Sequence, residues 1–322
     1  MDYKGKYLGW FGMGSIGFPM CYGLYKSGYK LVLPTYRREM DQASGFSTLS
    51  PDAATKTALI DDMLTGSCLP ADSAAELIEK SDVLIISMPT SAQVEELVLG
   101  EEGILAKGKP GSIVIDLTSA DPLSTQKLNK MLAEKDIALL DACVSGGIAG
   151  AIAHTLTIMV GGNQKIFEEA KPILNVIGNP DRVYFVGPSG AGNTIKCVNN
   201  FLSACCYSAT TEALMVATQA GIDPKRAVEI INASGGRNDA SMNKFPNLVF
   251  PGNDFNFALS LMLKDVNLFN QTAKAMQVPA FFGNTTAQIW NVAIAENGGG
   301  SDCINVAKMY EKWCNADVVG ID

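Results

Sequence analysis

Tyr7-Leu8-Gly9-Trp10-Phe11 runs directly into Gly12-Met13-Gly14-Ser15-Ile16-Gly17, and a segment with helical spacing follows from Phe18 to Ser27. An apolar run, a GxGxxG turn and a helix start leave the chain few ways to fold, because each glycine has its own steric duty. Gly12 permits the tight turn, Gly14 lets the backbone approach a ligand, and Gly17 lets the helix lie close to the strand. The helix N-terminus then offers N–H groups to an anion. Gly12, Met13, Gly14, Ser15, Ile16 and Gly17 therefore form a candidate pyrophosphate site for a dinucleotide. Folds that bind S-adenosylmethionine carry similar glycines, and the strand-turn-helix setting is what favours a dinucleotide here.

Short apolar runs then alternate with amphipathic stretches as far as Gly187. The runs are Tyr7 to Phe11, Lys30 to Leu33, Asp82 to Met88, Ser112 to Thr118, Ala138 to Leu140, Leu156 to Val160 and Arg182 to Val186. Helical candidates such as Ser73 to Lys80 and Pro122 to Lys135 lie between them. This rhythm predicts a mostly parallel sheet wrapped by helices. Beyond Gly187 the long segments Asn193 to Gly221 and Leu259 to Met276 keep helical spacing with no strand between them. The expected fold is an α/β N-terminal domain with a Rossmann-type doubly wound sheet, residues 1–187, followed by an all-α C-terminal domain, residues 188–322. The glycine-rich run from Gly187 to Gly192 marks the change. Glu39 to Pro70 is long for a connection between adjacent strands and predicts an extra helix or a surface insertion.

The 322 residues suffice for two cores, and 47% hydrophobic with 18% charged residues is a globular composition. A formal net charge of -8 argues against a nucleic-acid partner, so an anionic ligand must find local positive groups. The eight cysteines show no CxxC pair and read as reduced thiols. No apolar run approaches the roughly 20 residues of a membrane helix, and a soluble, cytoplasmic protein with no membrane partner is expected. His154 is the single histidine, which leaves neither a His-rich metal site nor His-centred acid/base chemistry, and no metal is expected.

The second strand leads into Tyr36-Arg37-Arg38, where specificity for NAD usually places an acid on the ribose hydroxyls. The two arginines suit the 2'-phosphate of NADP, which favours NADP over NAD; equally, they fit the start of a solvated helix. Two further motifs carry chemistry. Asp141-Ala142-Cys143-Val144-Ser145-Gly146-Gly147 ends in a turn-prone loop, where backbone N–H groups at Gly146 and Gly147 and the Ser145 hydroxyl can converge on a carboxylate. Gly190-Ala191-Gly192-Asn193 opens a helix with Lys196 and Asn200 four residues apart, hence on one face. A buried lysine can exchange a proton with a substrate oxygen while the asparagine amide orients it. A surface lysine above a polar pair is the plainer alternative.

Four motifs in order, the GxGxxG at Gly12, the DxxVSGG at Asp141, the GxGxxxKxxxN at Gly190 and the pair Lys264-Asp265, resemble those of the β-hydroxyacid dehydrogenase family. The resemblance runs from about Tyr7 to Tyr310. It implies that Lys196 is the catalytic lysine and Asn200 its partner, that Ser145, Gly146 and Gly147 bind the substrate carboxylate, and that Lys264 closes over substrate and nicotinamide. Met88, Pro89, Thr90, Thr118 and Ser119 fall where the family lines the cofactor groove, with Thr118 also facing substrate. The implied reaction interconverts a small anionic β-hydroxy acid and its semialdehyde or keto acid, with NADP or NAD, in a homodimer or homotetramer. An imine reductase on the same fold, or a non-catalytic dinucleotide-binding module, is the alternative. Departures bear on substrate choice: Cys143 stands where the family usually has proline, His154 where it commonly has glycine, and Glu39 to Pro70 is longer than usual. Arg237 is a candidate for a second substrate carboxylate, or simply a solvated loop arginine.

Overall fold

A computed structural model describes residues 3–35 and 53–321. Its strands are β1 (Tyr7–Phe11), β2 (Lys30–Pro34), β3 (Leu69–Ala71), β4 (Val83–Ile86), β5 (Ile113–Asp116), β6 (Ala138–Ser145), β7 (Thr157–Gly161) and β8 (Val183–Gly187). They form one eight-stranded sheet in the order β3-β2-β1-β4-β5-β6-β7-β8. Every pairing is parallel except β6 with β7. The order reverses between β1 and β4, so the Gly12–Gly17 turn leaves the sheet at its topological switch point, where open α/β sheets bind ligands.

The period of two along each strand explains why both faces are covered. Leu8 and Trp10 of β1, Leu31 and Leu33 of β2, Val83 and Ile85 of β4, and Ile113 and Ile115 of β5 enter one core. Their neighbours Phe11, Val32, Leu84, Ile86 and Val114 enter the other. Successive side chains point to opposite faces, so an uninterrupted apolar run is what a strand buried on both sides requires. Helices α1 (Gly17–Lys26) and α2 (Ala53–Thr65) contribute Met20, Leu24 and Met63 to the first core. Helix α3 (Ala74–Lys80) and α4 (Ser91–Leu99) contribute Leu77, Ile78, Val94 and Val98 to the second. After the short α5 (Ile104–Lys107), α6 (Pro122–Ala133) adds Leu128 and Leu132 on that face. Helices α7 (Gly147–Ile152) and α8 (Gln164–Ile177) complete the set, and α8 packs against α1.

Two differences from the expected elements have physical causes. β3 is only three residues, Leu69–Ala71, with a proline at its centre, too short for any periodicity to declare it. β6 runs on to Ser145 because its second half pairs antiparallel with β7, Cys143 opposite Met159 and Ser145 opposite Thr157. Within the long Glu39 to Pro70 stretch, α2 and β3 are the described elements.

The chain divides into two compact units, Met1–Lys196 and Cys197–Asp322. Helix α9 (Ala191–Gln219) begins in the first and continues through the second. The second unit is built from α9, α10 (Pro224–Asn232), a π-helical stretch Ala240–Val249, α11 (Leu259–Ala275), α12 (Phe281–Asn297) and α13 (Asn305–Cys314). Tyr207, Phe245, Leu259, Val266, Trp290 and Val306 fill its core. The buried Trp290 indole N–H is satisfied by the Ser208 hydroxyl at 3.1 Å. No described helix is long and apolar enough to cross a membrane.

Candidate active site

At the switch point, Gly12 has φ +93°, and a Cβ there would fall on the Ser87 carbonyl oxygen. A Cβ on Gly17 would likewise fall on the Gly12 carbonyl. These are the two close approaches that the first and third glycines of the motif serve. The Trp10 indole N–H donates to Gly12 O at 2.8 Å and Ser87 N–H to Phe11 O at 2.8 Å, fixing the turn from both sides. No side chain caps α1 at Ile16. The loop thus fits a dinucleotide pyrophosphate by its own geometry. Met13 is buried, whereas Gly14, Ser15 and Ile16 are half-buried. Tyr36, Arg37 and Arg38 lie outside the described residues.

The next strand ends are knotted together. The Thr118 hydroxyl accepts the Met88 N–H at 3.0 Å, while its own N–H donates to Asp116 Oδ1 at 2.9 Å. Thr118 is buried, Met88 half-buried and Pro89 exposed. The expected groove residues Met88 and Thr118 are therefore in direct contact, and the Thr118 hydroxyl holds the Met88 backbone.

Ser145 ends β6 half-buried, and the exposed Gly146 and Gly147 follow with φ of +133° and +64°. Only glycine adopts that pair of conformations at low cost, and they turn the chain sharply into α7. A few residues upstream, Asp141 is fully buried. Its Oδ1 accepts the Gly190 N–H at 2.8 Å and its Oδ2 the Asn193 N–H at 3.0 Å. Burial raises its carboxyl above the ordinary range, and those N–H groups pull it back in part. Asn193 is itself buried: its Oδ1 accepts the Ala120 N–H at 2.8 Å and its Nδ2 donates to Thr125 Oγ1 at 3.0 Å. Cys143, in the place of the expected proline, lies with its thiol 2.9 Å from that same Asn193 Oδ1 and 3.1 Å from Thr118 O.

Lys196 follows one turn after Asn193 and is only 9% exposed, so the surface-lysine alternative does not describe it. Asn200 and Lys264, which fall in the second unit, share one buried carboxylate there. Asn200 Nδ2 donates to Asp265 Oδ2, and Lys264 Nζ lies 2.8 Å from Asp265 Oδ1. Asn199 Nδ2 donates to the Asn200 side-chain oxygen Oδ1 at 3.1 Å. The neighbouring Cys197 thiol is pushed up to about 11, by burial first and by the Asp265 charge in addition, which leaves it protonated at neutral pH. Arg237 is exposed. Reading the motifs residue by residue passed over Asp141 and Asn193. The signal for Asp141 was present, since an acid inside an apolar strand must find donors; the identity of those donors was not.

A glycine turn at the switch point of a doubly wound sheet, a buried lysine near the start of α9 and a helical second unit together define a class, the nicotinamide-dependent dehydrogenases. Residues 7–187 match the family described as the NAD binding domain of 6-phosphogluconate dehydrogenase. Residues 190–310 match the NAD-binding family of NADP-dependent 3-hydroxyisobutyrate dehydrogenase. The chain is 33% identical over 315 residues to 2-(hydroxymethyl)glutarate dehydrogenase of Eubacterium barkeri, covering 97% of each. It is 30% identical over 310 residues to 2-hydroxy-3-oxopropionate reductase of Escherichia coli, covering 96% of this chain and 98% of that one. In fold it is similar to 3-hydroxyisobutyrate dehydrogenase of Mycobacterium tuberculosis with L-serine, with a TM-score of 0.80, 24% identity, and coverage of 95% and 99% of the two chains. The chain belongs to the β-hydroxyacid dehydrogenase family, and it is an NAD(P)-dependent oxidoreductase.

Proposed function

We propose that this enzyme interconverts a small β-hydroxy acid and its semialdehyde or keto acid, with Lys196 as the general acid/base. The observation that carries the proposal is a lysine buried to 9% exposure one turn into a helix whose start is hydrogen-bonded to the strand ending in Ser145-Gly146-Gly147. A buried amine meets a bound substrate with little competition from bulk water, which suits a group that must exchange a proton with the substrate oxygen. Ser145, Gly146 and Gly147 hold the substrate carboxylate; Asn200, itself oriented by Asp265, steadies the reacting oxygen. Lys264, in α11, assists substrate and cofactor, and Thr118 and Met88 shape the groove. In oxidation Lys196 takes the hydroxyl proton, and in reduction it returns a proton to the developing alkoxide. The dinucleotide, when bound, supplies hydride exchange with the carbinol carbon.

NADP is the preferred cofactor in this reading, through Arg37 and Arg38, and the enzyme works as a cytoplasmic homodimer or homotetramer, with its substrate domain beginning at residue 188. The first substrates to try are 2-(hydroxymethyl)glutarate, 3-hydroxyisobutyrate, 3-hydroxypropionate, 4-hydroxybutyrate and glycerate, with the matching aldehydes. Absorbance of the reduced nicotinamide reports turnover with either cofactor. Lys196→Ala should lower kcat by about 10²- to 10⁴-fold on whichever acid reacts, with cofactor affinity nearly unchanged. A variant that turns over like wild type would remove Lys196 from the chemistry. An imine reductase or a non-catalytic module is a weaker reading, because Lys196 is buried at the position where the proposed chemistry needs a proton-exchanging group.

A further inference from the structure

Asp141 and Asn193 are both buried and both polar, and the chemistry above uses neither. The Asp141 carboxylate spends one oxygen on Gly190 N–H and the other on Asn193 N–H, so it holds two amides at the positive end of α9. Gly192 lies between those amides. A Cβ there would fall on Asp141 O and lie 2.5 Å from Met159 O, so the first turn of α9 is pressed onto the backbones of β6 and β7. A helix cap needs no more than this.

Asn193 goes further, because its side chain caps nothing. It accepts from Ala120 N–H beyond β5, donates to Thr125 in α6, and stands 2.9 Å from the Cys143 thiol of β6. Ala120 lies two residues past Thr118, whose hydroxyl holds Met88. One amide thus joins the segment that shapes the cofactor groove, the strand that ends in the carboxylate loop, and the helix that carries Lys196 one turn later on the same face. Cys143 adds a donor that proline, the residue usual at this place, cannot offer. Its single S–H can serve Asn193 Oδ1 or Thr118 O, but not both at once.

We infer that Asp141 and Asn193 are positioning residues: together they latch the start of α9 to β6 and so set where the Lys196 amine stands relative to the Ser145–Gly147 loop. The inference rests on the proposed role of Lys196, but its test does not require turnover. In the full-length protein, reductive methylation of Lys196 is followed by mass spectrometry across pH, with the exposed Lys225 as internal reference. Amide exchange of the first turn of α9 is measured alongside. Asn193→Ala and Asp141→Asn should speed exchange at residues 190–193 and change the rate of Lys196 methylation by about tenfold, the equivalent of one pKa unit, with Lys225 unchanged. Cys143→Ala should move both readouts the same way by less. Faster exchange with unaltered Lys196 methylation would reduce the pair to an ordinary helix cap and overturn the inference. If Asp141→Asn fails to fold, Asn193→Ala and Cys143→Ala decide the matter by themselves. Lys196→Ala assayed in parallel separates the two ideas: full activity there removes the catalytic reading, whereas methylation alone judges the latch.

Discussion

Gly23 and His154 compete for one space. Gly23 lies inside α1, where alanine would ordinarily gain about 1 kcal/mol from helix propensity. Here a methyl at Gly23 would fall on the His154 imidazole. His154 in turn has φ 53°, the left-handed region that glycine adopts without strain. The histidine has kept the backbone turn and wedged its ring against the gap that Gly23 leaves. Gly23→Ala should therefore destabilise the protein by about 1–3 kcal/mol through overpacking, read from urea unfolding, against the direction that propensity alone gives. His154→Gly combined with Gly23→Ala should recover most of that loss. Strict additivity of the two single changes would mean that the methyl finds room elsewhere and that the two residues are not coupled.

At the scale of elements, Asp141 makes a pH signature of the strand-to-helix latch. Its carboxyl is held above its ordinary range, by burial first, against the opposing pull of Gly190 and Asn193. A folded pKa above the unfolded value, about 3.9, contributes stability that is fully present below the unfolded value and lost as pH rises through the folded one. Asparagine does not titrate. The stability of wild type relative to Asp141→Asn should therefore shrink as pH rises above about 4, by urea unfolding of both proteins, and a gap that widens with pH would contradict this reading. β1, β2, β4 and β5 could be read because strands buried on both faces are uninterrupted apolar runs, and the glycine turn could be read because its three duties fix three positions. β3 offered three residues around a proline and no pattern. The latter half of β6 was hidden because Ser145-Gly146-Gly147 looks like a turn from its composition, although pairing with β7 keeps Ser145 in the ladder. The contacts of Asn193 could not have been read at all, since Ala120 and Thr125 meet it across long sequence separations.

Across the whole molecule, the first compact unit runs past the glycine run as far as Lys196. The physical reason is the latch: the strands end at Gly187, yet the first turn of α9 remains tied to β6 through Asp141 and Asn193. The Gly12–Gly17 turn, the proposed pyrophosphate site, lies in that first unit, so ligand binding should register as added resistance to unfolding. A ligand at 100 times its Kd adds about 2.7 kcal/mol when it binds only the folded state. NADP and NAD, each at matched multiples of their own Kd, should therefore raise the thermal midpoint equally, while at one fixed concentration NADP should raise it more. Replacing Arg37 and Arg38 together by alanine should erase that difference, because a 2'-phosphate is worth holding only where charged donors meet it. An NADP advantage that survives the double substitution would assign the phosphate to other groups, and an equal fall in the NAD and NADP shifts would mean that the two arginines support the dinucleotide site without reading the phosphate.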